Sequence, residues 1–132
     1  MSEKQNALEA LLGADIEIEE TVYIKRLKAD FTIKALTGDE VNKLKEECTY
    51  IKGKGANRRQ EVNEEEFGQK LIVSACIVPD FSNADLLKRY GAHDAADCVQ
   101  KALLFGEIAT LSHAVLDVSG VGQADEIEDA KN

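Results

Sequence analysis

The side chains most often used in catalysis and metal binding are few in this sequence. Its two histidines, His93 and His113, have no cysteine, aspartate or glutamate at the spacing of an HExxH or similar metal motif. His93 follows a Gly-Ala pair that ends a predicted helix, so we expect it in a solvated loop. His113 is predicted on the flank of a helix. We therefore expect no catalytic residue, no metal site and no cofactor.

The three cysteines, Cys48, Cys76 and Cys98, form an odd set without CxxC spacing. A reactive cysteine needs an electropositive, partly exposed environment that favours the thiolate. Two of these cysteines lie instead among apolar residues with helical spacing. We expect reduced core residues of a cytosolic protein rather than a disulfide framework or a nucleophile.

A basic, glycine-rich stretch from Lys52 to Arg59 is the other candidate for chemistry. Its Gly53-Lys-Gly55 element lacks both the GK[ST] ending of a P-loop and the preceding strand of a dinucleotide site. We expect an exposed, flexible loop. The four cations of this stretch are Lys52, Lys54, Arg58 and Arg59. They either contact phosphates, dock on an acidic protein surface or are simply solvated.

Charge and hydropathy set the class of protein. The net charge is −9 over 132 residues, and most of the excess acid lies in residues 1–20 and 121–132. A nearly neutral body with acidic ends disfavours attraction to nucleic acid. The first residues do not resemble a signal peptide, and no apolar stretch approaches the roughly 20 residues of a membrane span. We expect a cytoplasmic protein that does not bind nucleic acid or membranes.

Two elements are predicted near the N-terminus. Leu8, Leu11 and Leu12 share one face of a short helix that ends near Gly13, and this face packs either on its own domain or on a partner. From Ile16 to Leu36 the apolar period becomes two, which predicts a β-hairpin with a short polar turn around Lys28 to Asp30.

Helical patterns fill the rest of the chain to Gly120. A capping box, Thr37-Gly-Asp-Glu40, begins one helix, and Asn63 caps the next. The apolar run Leu71–Val78, closed by Pro79, is predicted to be the buried back half of this central helix. Three further helices follow, over residues 84–90, from Asp94 to Leu103, and from Phe105 to Gly120.

The predicted fold class is α+β: an N-terminal β-hairpin followed by a mostly α-helical core of about five helices. We expect one domain over residues 1–120, with residues 1–7 mobile. Residues 121–132 form a small, charged tail with little to bury, and we expect disorder there.

Several segments, in this order, resemble one protein family over residues 7 to 120. They are Leu8-Glu-Ala-Leu-Leu-Gly-Ala-Asp15, Arg26-Leu-Lys-Ala-Asp-Phe-Thr-Ile-Lys-Ala-Leu-Thr37, Leu71-Ile-Val-Ser-Ala-Cys-Ile-Val-Pro-Asp-Phe81, Leu86-Leu-Lys-Arg-Tyr-Gly-Ala92 and Leu103-Leu-Phe-Gly-Glu-Ile-Ala-Thr-Leu-Ser-His-Ala-Val115. The family is that of the XkdN-like tail assembly chaperones of phages and defective prophages of Bacillus and its relatives.

The resemblance implies a non-enzymatic tail assembly chaperone. Such a protein holds unassembled tail tube or tape-measure protein competent for assembly in the host cytoplasm and is absent from the mature virion. The hypothesis for its contacts includes the leucine face, the hairpin edge and the basic stretch, that is, Leu8, Leu11, Leu12, Lys52, Lys54, Arg58 and Arg59. The alternatives are a tail or head–tail component retained in the virion and a nucleic-acid-binding regulator.

Overall fold

The computed structural model describes residues 3–14 and 17–120. The predicted tail, residues 121–132, and the first two residues of the predicted mobile segment lie outside this part of the chain. The helices are α1 Glu3–Leu12, α2 Gly38–Glu47, α3 Glu64–Ala75, α4 Ala84–Tyr90, α5 Ala95–Ala102 and α6 Phe105–Val118. The strands are β1 Glu19–Ile24, β2 Ala29–Lys34, β3 Thr49–Lys52, β4 Arg59–Val62 and β5 Cys76–Val78. The α+β class, with a hairpin followed by five helices, is confirmed.

The first hairpin follows from the period-two pattern. β1 and β2 pair antiparallel, from Glu19 opposite Lys34 to Ile24 opposite Ala29. The turn begins three residues earlier than predicted and spans residues 25–28. Lys28 adopts a positive φ of 51°, and Ala29 already belongs to β2. Alternate residues point to the helices, so Ile24 and Phe31 are buried.

The segment after α2 corrects the sequence prediction. Thr37 and Glu40 form the predicted capping box. The sequence pattern predicts a helix that the glycines Gly53 and Gly55 end, but α2 ends at Glu47. Thr49–Lys52 is extended instead and pairs antiparallel with Arg59–Val62 as a second, separate sheet. β-branched and aromatic residues in β3 favour a strand. The predicted loop is therefore the tip of a second hairpin, and its exposure is as expected.

The central helix is shorter than predicted. Asn63 caps α3 by accepting a hydrogen bond from the Glu66 N–H, but the helix ends at Ala75. The next three residues form β5, which pairs antiparallel with β2 and leads into a cis Val78–Pro79 peptide. Ile77 and Val78 are exposed rather than part of the core. A short apolar run does not distinguish a buried helix from a strand, and here the free edge of β2 makes it a strand.

The last three helices begin where the sequence predicts; Asn83 and Asp94 cap α4 and α5, whereas Leu104 gives α6 no side-chain cap. α3 and α6 pack against the three-stranded sheet, whose order is β1-β2-β5, α5 packs on both helices, and α4 packs on α5. Two adjoining hydrophobic clusters form the core, and α3 contributes to both: Ile72 to the first and Phe67, Leu71 and Ala75 to the second. The described residues include no buried polar or charged side chain. No helix among them is long and apolar enough to cross a membrane.

Candidate protein-binding surfaces

The residues with catalytic potential lie apart from one another. His93 and His113 are both exposed. The His113 Nε2 lies 3.8 Å from a carboxylate oxygen of Asp117, one helical turn away. The three cysteines are unpaired. Burial raises the pKa of the Cys76 thiol to about 12, which keeps it protonated and unreactive at neutral pH. Among the described residues no group of histidine, cysteine or carboxylate side chains could hold a metal ion.

The three leucines of α1 are open to solvent. Their exposed fractions are 57% for Leu8, 76% for Leu11 and 78% for Leu12. α1 packs only sparsely on the other elements of the described chain, and it joins the sheet through a segment that ends with Ile18, whose C=O accepts from the Ala35 N–H at 2.8 Å. The sequence leaves two alternatives for this face, packing on its own domain or packing on a partner. Within the described residues the face is not packed on its own domain. Such an apolar face is free to bind another protein.

The second hairpin divides the four predicted cations into two pairs. Lys52 and Arg59 lie opposite each other in β3 and β4, and both contact Glu61, with N···O distances of 3.8 Å and 2.7 Å. The Tyr50 hydroxyl also donates to Glu61. These contacts hold the pKa of Glu61 below its usual value, chiefly through the hydrogen bond from Arg59.

Lys54 and Arg58 stand at the turn of the same hairpin. Within the described residues neither has an ion-pair partner, and both are exposed. The turn between them is tight, since a Cβ on Gly53, where φ is +88°, would lie 2.5 Å from the Asn57 carbonyl oxygen. The hairpin tip thus presents two uncompensated positive charges on a compact turn.

A further surface at the start of α6 was not predicted. Leu104 and Phe105 are exposed, Phe105 at 87%. A cleft of about 360 Å³ between Leu104 and the end of β1 is also lined by Tyr23 and Arg26, and Phe105 lies outside it. The only sequence signal is a pair of large apolar residues at a helix start.

Arg26 and Glu107 close one side of this cleft. Arg26 donates from Nε and Nη2 to the two Glu107 carboxylate oxygens, each at 2.8 Å, and from Nη2 to the Ala102 carbonyl. Glu107 also accepts from the Leu104 N–H at 2.8 Å. The hydrogen bond from Arg26 is the main reason that the pKa of Glu107 lies below its usual value. This arrangement joins the first hairpin to α6.

The leucine face and the basic hairpin tip are not brought into one site. Within the described chain α1 has no extensive contact with β3 or β4, and these two strands form a sheet of their own between α2 and α3. The geometry offers separate contact surfaces of different chemistry, one apolar and one basic. It is suited to binding protein surfaces.

Comparison with known proteins identifies the family. Residues 8–131 match the model of the phage XkdN-like tail assembly chaperone proteins. The chain is 30% identical to the uncharacterized protein YqbN of Bacillus subtilis (strain 168), over 98% of this chain and 95% of that protein. It is 27% identical to the phage-like element PBSX protein XkdN of the same organism, over 75% of this chain and 67% of that protein.

A solved structure supports the fold. The crystal structure of YqbN superposes with a TM-score of 0.63, covering 81% of this chain and 88% of that chain at 20% sequence identity. The chain belongs to the phage XkdN-like tail assembly chaperone family, which gives it a role in phage tail assembly.

Proposed function

We propose that this chain binds unassembled tail tube protein, tape-measure protein or both in the host cytoplasm, and keeps them competent for assembly without catalysing a reaction. The exposed leucine face of α1 is the observation that carries the proposal. Family membership indicates that the process is phage tail assembly, and the leucine face is the surface through which we propose that the chain binds its partner. The protein is released when the tail is built and is absent from the finished virion.

The leucine face suits a transient protein partner. A helix of ten residues is marginal in water on its own, and Leu8, Leu11 and Leu12 leave most of their surface in solvent. Burying a leucine side chain contributes about 1.5–3 kcal/mol. A partner that covers all three therefore stabilises α1 while it hides its own apolar surface, which would otherwise associate wrongly before assembly.

The basic hairpin tip is the second proposed contact. Lys54 and Arg58 carry the charges that are open to a partner, while Lys52 and Arg59 hold Glu61 and shape the hairpin. Such a tip suits an acidic patch on a protein surface. Two of the four cations are already paired, so the support for nucleic-acid binding is weak.

Co-purification tests the leucine face. The tagged chain is co-expressed with the tail tube and tape-measure proteins of the same phage or prophage, with Leu8, Leu11 and Leu12 changed together to serine. A second variant carries glutamine at the same sites, because glutamine preserves helix propensity. Both should lose at least about a hundredfold in affinity while circular dichroism and the unfolding midpoint stay unchanged.

The matched control places serine at an exposed leucine elsewhere, Leu27, and should bind like the wild-type chain. Equal binding by wild-type and α1 variants would remove the leucine face from the proposal. Mass spectrometry of purified particles addresses the virion alternative, since stoichiometric presence of the chain would contradict a chaperone that leaves. DNA binding that falls steeply with salt would favour the regulator.

A further inference from the structure

The three-stranded sheet has an open edge along β1. Its order is β1-β2-β5, so among the described residues β1 has a strand partner on one side only. Ile18 accepts from the Ala35 N–H in the register that pairs β1 with β2. Since backbone groups alternate in direction along an antiparallel strand, the even residues bond to β2. Glu19, Thr21 and Tyr23 therefore direct their N–H and C=O groups outward.

The side chains of these edge residues lie on the solvent face of the sheet. Val22 and Ile24 point to the core, and strand geometry places Glu19, Thr21 and Tyr23 on the opposite face. Lys25 follows β1 as the first residue of the turn and is exposed. Tyr23 is 58% exposed. An unpaired edge with an exposed aromatic residue is a template for another strand.

The charges along this edge are segregated. Glu19 and Glu20 lie at the N-terminal end of β1, and Lys25 and Lys28 lie in the turn that follows its C-terminal end. In the described part of the chain none of the four has an ion-pair partner. Antiparallel pairing of β1 with a second β1 brings the acidic end of each strand against the basic end of the other.

We propose that two copies of this chain associate through antiparallel pairing of their β1 edges, with Glu19 of each copy opposite Lys25 of the other. Only outward-directed residues can exchange hydrogen bonds across the new ladder, so odd residues must face odd residues. This register also sets Thr21 opposite Tyr23 and places Val22 on the twofold axis.

The surroundings of β1 are compatible with this pairing. α6 packs beneath both β1 and β2, and the cleft beside Tyr23 and Leu104 leaves room along the C-terminal half of the strand. Val22 adjoins both hydrophobic clusters of its own chain. Contact between the two Val22 side chains on the axis would therefore join the cores of the two copies under one six-stranded sheet.

Charge reversal tests the register. Glu19→Lys makes both ends of β1 basic and Lys25→Glu makes both acidic, so each variant replaces two attractive cross-strand pairs by two repulsive ones. Sedimentation velocity over a concentration series should show a concentration-dependent dimer for the wild-type chain. The dimer dissociation constant should rise about tenfold or more in each single variant.

Two complementary samples should restore association: the double variant Glu19→Lys/Lys25→Glu, and an equimolar mixture of the two single variants. A Thr21→Pro variant removes an outward N–H without touching the ladder to β2, so it should fold and remain monomeric. In the wild-type chain, the amides of Glu19, Thr21 and Tyr23 should exchange with solvent more slowly as concentration rises.

Three results would overturn the proposal. The wild-type chain stays monomeric at the highest concentration at which it remains in solution. It forms a dimer that neither charge reversal nor Thr21→Pro weakens. The single variants dissociate, but neither the double variant nor the mixture restores the dimer.

Discussion

The two β-hairpins of this chain share a local design and differ in what lies beneath them. In the first hairpin Ile24, Phe31 and Ile33 are buried against the helices, and β5 adds a third strand. In the second, every residue from Tyr50 to Gln60 is exposed. Since a two-stranded hairpin is marginal in water, the first is part of the scaffold and the second is an arm held by its own cross-strand contacts.

The base of the arm shows how it is attached. The buried Cys48 ends α2, and its C=O accepts from the Asn63 N–H at 2.8 Å. Asn63 also caps α3. The pairing of β3 with β4 therefore starts between two helix ends that the core fixes in place, and it weakens toward the tip. The two hairpins therefore differ in how they are attached to the core.

The largest expected effect is a difference in stability between two aspartate substitutions, one in each hairpin. Ile33→Asp places a charge at a site with 0% exposure and should cost more than about 3 kcal/mol, which is enough to unfold a marginally stable chain. Ile51→Asp, at a site 53% exposed, should change stability by less than about 0.5 kcal/mol. Urea denaturation followed by circular dichroism measures both. A cooperatively folded Ile33→Asp variant would contradict the assigned core.

The first hairpin could be predicted from the sequence and the second could not, for a physical reason. The first buries one face, so its apolar residues alternate. The second buries almost nothing, so its strands carry no such alternation. β5 was missed because a run that is apolar throughout fits a helix or a strand equally well, and the choice depends on the distant edge of β2.

The candidate surfaces, too, could be predicted from the sequence only in part. The helical spacing of Leu8, Leu11 and Leu12 revealed an apolar face, but only the structure shows that no other element of the described chain covers it. The four cations were visible in the sequence, whereas their division by Glu61 depends on the register of β3 and β4. Contacts between residues far apart in sequence, such as Arg26 with Glu107, leave no local pattern.

An intermediate effect is expected where the first hairpin is tied to α6. Glu107→Ala removes the acceptor of the Leu104 N–H and the partner of Arg26. Loss of the helix cap alone costs about 1 kcal/mol, and the lost ion pair adds to this. Glu107→Gln is the matched control, because its amide oxygen can keep the cap while the charge is absent. It should lie between wild type and alanine in urea denaturation.

The same pair predicts a pH dependence. Because Arg26 lowers the pKa of Glu107 in the folded chain, the ionised carboxylate stabilises the fold above its unfolded pKa of about 4.3. That stabilisation is lost as the pH falls through the lower, folded pKa. The advantage of wild type over Glu107→Gln should therefore shrink on acidification. A constant difference from neutral to acidic pH would show that the charge is not involved.

The smallest global effect is expected in the arm, where Glu61→Ala releases Lys52, Arg59 and the Tyr50 hydroxyl together. The core is untouched, so the global unfolding midpoint should stay that of wild type. The amides of the arm should nevertheless exchange faster with solvent, because opening this hairpin is a local event. A matched Asp39→Ala change, which removes only an exposed contact with Lys43 at 4.0 Å, should leave them unchanged. Slow exchange in the Glu61 variant would mean that the backbone ladder and turn hold the arm without its ion pairs.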